Sequence, residues 1–105
     1  TLLWVRYRPV AAAFPEEAPR MSIIIPAYNE GAMVRQAVDA CAWAEYPRDR
    51  LEIIVIDDGS TDDTWVHVDA AQRERPDLVQ TIRLPVNAGK RAALAAGFAK
   101  ATGEI

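Results

Sequence analysis

Three short clusters in this sequence carry the residue types that chemistry needs: Tyr28-Asn29-Glu30, Asp57-Asp58 and Lys90-Arg91. An aromatic face, acceptors for N–H groups and a cationic helix start make a set suited to a base, a ribose and a phosphate. Each cluster also has a plain structural use. Tyr28 could pack, the aspartates could serve a turn and a cap, and Lys90 and Arg91 could extend into water. Taken singly, those uses are the commoner ones. Joint placement at the ends of consecutive apolar runs reverses the balance.

The elements that must position these clusters are legible in the apolar pattern. In the stretch LEIIVIDDGSTDDT, Ile53 to Ile56 form an unbroken apolar run without alternation. Such a run predicts a strand buried on both faces, as in a parallel sheet covered by helices. It stops at Asp57 and Asp58, and Gly59 permits a tight turn. Ser60 or Thr61 is expected to cap the next helix, with Asp62 and Asp63 in its first turn, where the helix dipole favours acids. Ser22 to Pro26, SIIIP, is a second buried run, leading into the Tyr28 cluster. Val34, Ala37, Val38 and Cys41 have helical spacing within Met33 to Trp43. Asp62 to Arg75 reads as a helix ended by Pro76, with Trp65 and Val68 on one side. Gln80 to Leu84 is a short strand, and Pro85 to Asn87 a loop. Gly89 to Thr102 is an alanine-rich helix with Leu94, Gly97, Phe98 and Ala101 on one face and Gly103 as its cap. The order is β-α-β-α-β-α, with a new strand expected to start at Ile105. Alternation of this kind predicts an α/β fold, a Rossmann-like parallel sheet whose ligands sit at the carboxyl ends of the strands.

Composition bounds what such a sheet could do. A chain of 105 residues is enough for one small domain. Half of the residues are hydrophobic and 26% charged, which reads as globular. A net charge of -3 gives no electrostatic footprint for nucleic acid. Cys41 is the only cysteine, so no internal disulfide can form, and a reducing compartment fits. A single histidine, His67, leaves Ser–His or Cys–His catalysis and histidine-rich metal sites poorly supported.

Residues 1–20 read as a juxtamembrane segment and linker, and 21–105 as the folded domain. Thr1 to Arg8, TLLWVRYR, is far shorter than the ~20 apolar residues of a membrane span. It fits the cytoplasmic end of a membrane helix, where aromatics and arginines gather, and equally an ordinary disordered terminus. Pro9 to Arg20 is rich in proline and alanine, as extended linkers are. Both ends read as cut from something longer.

Other nucleotide motifs fail. No G-x-G-x-x-G is present, and Gly89-Lys90 lacks the P-loop pattern because Leu84 and Arg91 stand where glycine and Ser/Thr are required. A signalling receiver domain shares the acidic pair but needs a phospho-accepting aspartate after a later strand, and QTIRLP ends without one.

IIIPAYNE, IVIDDGSTDDT and NAGKRAALAAGFAKATGEI resemble, in order and spacing, the successive opening motifs of family 2 glycosyltransferases with the GT-A fold. The resemblance covers Ser22 to Ile105. Lys90-Arg91 before an alanine-rich helix is most similar to the membrane-integrated branch of hyaluronan, chitin-oligosaccharide and poly-N-acetylglucosamine synthases. It implies an enzyme whose donor is a UDP-sugar and whose acceptor is a sugar or lipid-linked hydroxyl, at the cytoplasmic face of the cell membrane. Tyr28 would lie against uracil, with Asn29 beside it in the same donor-binding cluster and Glu30 near base and ribose. Asp58, with Asp57, would accept from uracil and ribose, and Lys90, with Arg91, would approach the diphosphate. A divalent metal, Mn or Mg, is implied, held by a D-x-D motif beyond Ile105, and the catalytic base also lies later. This stretch alone is therefore expected to be inactive. Two alternatives stay open: a nucleotide-sugar nucleotidyltransferase, and a non-catalytic receiver-like module.

Overall fold

The computed structural model describes residues 4–7, 20–43 and 46–101. In chain order the elements are β1 (Trp4–Tyr7), β2 (Met21–Ala27), α1 (Met33–Ala42), β3 (Leu51–Asp58), α2 (Thr64–Glu74), β4 (Val79–Leu84) and α3 (Lys90–Lys100). A 3-10 turn at Arg48–Arg50 leads into β3. The sheet order is β1-β2-β3-β4. β2, β3 and β4 are parallel, with Ile24 beside Ile54 and Ile56 beside Ile82. This is the alternating α/β architecture that the apolar runs predict.

All eight residues of β3 are buried, as a central strand covered on both faces requires. Because side chains alternate along a strand, its two faces feed two cores. Ile53 and Val55 join Ile23, Ile25 and Val79 under α1 and α2, where Val34, Val38, Val68 and Ala71 close the layer. Ile54 and Ile56 join Ile24 under α3, against Ala93, Leu94 and Phe98. Burying each isoleucine contributes roughly 1.5–3 kcal/mol. A carboxylate at the amino end of β3 shares the α3 face. Glu52 is buried, and it accepts from Ser22 Oγ at 2.6 Å and Gln80 Nε2 at 3.2 Å. Three neighbouring strands thus satisfy one buried acid, which would be costly if left bare.

Two features differ from the sequence reading. The pattern starts the second helix at Asp62, but α2 begins at Thr64, with Asp63 at its N-cap and no side-chain cap bond. The hydroxyls of Ser60 and Thr61 both face Asn29 across the loops, and the N-cap position falls to Asp63, so neither Ser60 nor Thr61 caps. The second difference is at the amino end. Trp4–Tyr7, assigned by pattern to a juxtamembrane segment before the domain, form β1, antiparallel to β2 with Trp4 opposite Ile24 and Tyr7 opposite Met21. The sheet therefore starts before Met21. Strand-forming residue types and the edge that β2 offers among the described strands account for this pairing. Residues 8–19, Gly103 and Ile105 lie outside the described residues.

Candidate functional site

The parallel register brings the carboxyl ends of three strands level: Ala27 lies beside Asp57, and Asp58 beside Leu84. The loops that follow enclose a cleft of about 490 Å³ lined by Pro26, Ala27, Tyr28, Glu30, Asp58, Asn87, Gly89 and Lys90. Of the seven residues singled out in the sequence, Tyr28, Glu30, Asp58 and Lys90 meet here. Asn29, Asp57 and Arg91 are not in its lining. Tyr28 is 46% exposed, so its ring is available to a ligand.

Strand alternation separates the two aspartates. Asp57 shares the Ile53–Val55 face beneath α1 and α2, and Asp58 shares the Ile54–Ile56 face towards α3. Asp57 is fully buried. Its Oδ1 accepts from Ser60 N at 3.0 Å, and its Oδ2 has no hydrogen-bond partner. Asp58 holds the β4–α3 loop. Its Oδ1 accepts from Ala88 N at 2.9 Å, and its Oδ2 from Gly89 N at 3.1 Å and Asn87 Nδ2 at 3.2 Å. Three donors leave room for about one more on a carboxylate with about four lone-pair positions. Asp58 is thus a loop anchor as well as a wall of the cleft.

A second set of bonds ties the loop carrying Tyr28 and Glu30 to the β3–α2 turn. Asn29 N donates to Ser60 Oγ at 2.9 Å, and Thr61 N donates to Asn29 Oδ1 at 2.8 Å. Thr64 Oγ1 accepts from Glu30 N at 2.9 Å and Gly31 N at 2.8 Å. The Thr64 hydroxyl and backbone N–H both donate to Asp62, and they hold its exposed carboxyl below the usual carboxylate range. Sequence reasoning missed the bracing roles of Ser60, Thr61 and Thr64. Short hydroxyl residues after a turn are read as local caps, and nothing in the sequence marks a partner some thirty positions away.

At the other rim, Gly89 at φ +95 turns the chain into α3. The first turn of α3 holds no acid, and it begins with Lys90 and Arg91. A helix start with two cations and no acidic side chain favours an anion in front of it. Metal is another matter. Among the described residues no three His, Cys, Asp or Glu side chains form a group that could hold an ion. A second cleft, about 470 Å³, lies at the opposite end of the sheet beside Trp43. Its Glu74 and Arg75 are paired with Arg35 at 2.8 Å and Asp39 at 3.0 Å. It presents no comparable set of acceptors facing a helix start. Cys41 is buried among apolar groups, which raises its thiol pKa and keeps it unreactive.

Fold and cleft together place a partly polar cleft at the carboxyl edge of a parallel α/β sheet. Residues 22–105 match the model of Glycosyl transferase family 2. The chain is 40% identical over 92 residues to the probable glycosyltransferase YdaM of Bacillus subtilis, covering 86% of this chain and 22% of that protein. It is 34% identical over 95 residues to an undecaprenyl-phosphate 4-deoxy-4-formamido-L-arabinose transferase of Sodalis glossinidius, covering 87% and 28%. Among solved structures, the mannosyltransferase PcManGT of Pyrobaculum calidifontis, in complex with GDP-Man and Mn2+, superposes with a TM-score of 0.78. That likeness has 34% identity over 92% of this chain and 29% of the other. TarS of S. aureus gives a TM-score of 0.64 at 28% identity, over 79% and 15%. This chain belongs to glycosyltransferase family 2. It spans about a quarter of the length of the curated relatives it matches.

Proposed function

We propose that this chain forms the donor-nucleotide part of an inverting glycosyltransferase that moves a sugar from a UDP-sugar to a hydroxyl acceptor. Carrying this reading is the single cleft that joins Tyr28, Glu30, Asp58 and Lys90. Tyr28 would stack on the base, Glu30 and Asp58 would accept from base and ribose, and Lys90 at the start of α3 would meet the diphosphate. In the reaction the acceptor oxygen bonds to the anomeric carbon as the bond to UDP breaks, with a base taking the hydroxyl proton. A divalent cation, named in the complex of the mannosyltransferase neighbour, would stabilise the departing diphosphate. Its ligands and the base would come from other parts of the protein, so this chain alone would bind donor without transferring sugar. The family resemblance further supports a role in polysaccharide or glycolipid synthesis at the cytoplasmic face of the membrane, nearest the hyaluronan, chitin-oligosaccharide and poly-N-acetylglucosamine synthase branch.

The nearly filled hydrogen-bonding capacity of Asp58 supports uridine. Uracil offers a carboxylate one ring N–H, whereas guanine offers two side by side, and Asp58 has room for about one. A guanosine donor is the second reading, favoured by the GDP-Man of the neighbour. Calorimetry with UDP, GDP and uridine separates them. UDP is expected to bind more tightly than GDP, and equal or tighter GDP binding would sink the uridine assignment. Lys90→Ala should weaken UDP much more than uridine, which has no phosphate. Equal losses would mean that Lys90 shapes the loop without touching phosphate.

A further inference from the structure

We propose that Asn29 is a positioning residue, a clasp that joins the β2–α1 loop to the β3–α2 turn and thereby fixes the direction of the Tyr28 ring. The role in binding rests on the nucleotide reading above, whereas the clasp itself rests on geometry alone.

Tyr28 is half exposed, so packing alone does not hold its ring. Its direction is set by the backbone on either side. On one side Ala27 is buried at the end of β2. On the other, Asn29 has φ +50, a left-handed conformation that asparagine tolerates better than most residues. The kink at Asn29 is secured from both ends of the residue. Its backbone N–H donates to Ser60 Oγ, and its side-chain Oδ1 accepts from Thr61 N. The Ser60 backbone N–H in turn donates to Asp57 Oδ1, on the fully buried end of β3. A path of hydrogen bonds therefore runs from the sheet core to the residue beside Tyr28. The Asn29 side chain is outside the cleft lining and already has a partner, which fits a brace better than a ligand contact.

Substitutions at Asn29 separate these parts. Asn29→Gly keeps the left-handed backbone and the N–H to Ser60 but removes the acceptor for Thr61. Asn29→Asp keeps an acceptor oxygen in the same place. Amide exchange followed by NMR, and calorimetry with uridine and with UDP, are measured on the entire chain. In Asn29→Gly, Thr61 amide exchange should speed up about tenfold, and uridine and UDP should weaken by one common factor of about five- to tenfold, as one lost neutral hydrogen bond allows. Asn29→Asp should restore both. Unchanged Thr61 exchange in Asn29→Gly would overturn the clasp. Faster exchange with unchanged uridine affinity would overturn the link to Tyr28. Equal binding losses in the Gly and Asp variants would overturn positioning in favour of direct contact by the amide nitrogen. A wild-type chain that binds neither uridine nor UDP would sink the nucleotide reading, and the link to Tyr28 with it, while Thr61 exchange would still decide the clasp.

Discussion

Asp58 and Gly59 show how much of the site rests on single residues. Gly59 has φ +70, and a Cβ there would sit 2.3 Å from Asn87 N and from Val86 C. Both neighbours are backbone, so no side chain can yield. Only glycine lets the β3–α2 turn pass this close to the β4–α3 loop. Asp58 fastens the same contact through Ala88 N and Gly89 N. Asp58→Asn keeps the shape but offers one oxygen and one NH2, and the NH2 must face a backbone donor. The expected cost is about 1–3 kcal/mol of stability, measured by thermal or denaturant unfolding, together with weaker UDP binding. Lost UDP binding at unchanged stability would mean that Asp58 serves the ligand and not the loop. Adjacent aspartates read as one acidic site in the sequence. The period of two along a strand places them on opposite faces, a consequence available from the sequence once β3 is recognised.

At the scale of elements, the three parallel strands were legible because runs such as Ile53–Ile56 leave few alternatives, and α1 followed from its helical spacing. The start of α2 was not legible. Ser60 and Thr64 have the chemistry of caps, but they accept from Asn29, Glu30 and Gly31, and only the folded sheet brings those groups near. The closeness of α3 was equally hidden. Gly97 fits the apolar face by position, yet its smallness is what matters. A Cβ there would lie 2.6 Å from Ile24 Cγ2 and 2.8 Å from Ile56 Cδ1. A larger residue must push α3 off the sheet or displace both isoleucines. Gly97→Val should cost about 1–3 kcal/mol, the usual penalty for overpacking a core. Chemical denaturation measures it directly. Because α3 begins at Lys90, the variant should also weaken UDP. A Gly97→Val chain as stable as wild type would mean that close packing of α3 on Ile24 and Ile56 does not contribute to stability.

For the molecule as a whole, the two edges of the described sheet are protected in different ways. Among the described strands β4 is one edge, and polar or charged Gln80, Thr81 and Arg83 interrupt its apolar residues. Arg83 lies over the Trp65 ring at 5.1 Å, and it puts a charge along that edge. Charged, short edge strands resist pairing with other chains. The other side is different. β2 carries Ile23, Ile24 and Ile25, all nearly or fully buried, and β1 is what pairs with its outer edge. Nothing in the run TLLWVRYR states that it belongs to the sheet, since four strand-forming residues gain their meaning only from a partner elsewhere. If β1 is the protection for that edge, a chain starting at Arg20 should expose a flat apolar strand. Such strands pair with one another. Light scattering and sedimentation of the shortened chain should therefore reveal association that grows with concentration, while the whole chain remains monomeric under the same conditions. Circular dichroism of the shortened chain should still report an α/β fold, because β2, β3, β4 and the helices supply the core residues Ile23 to Ile25, Ile53 to Ile56, Val68, Val79 and Ala93. A shortened chain that stays monomeric at high concentration would mean that β1 is dispensable and that the β2 edge is shielded in some other way.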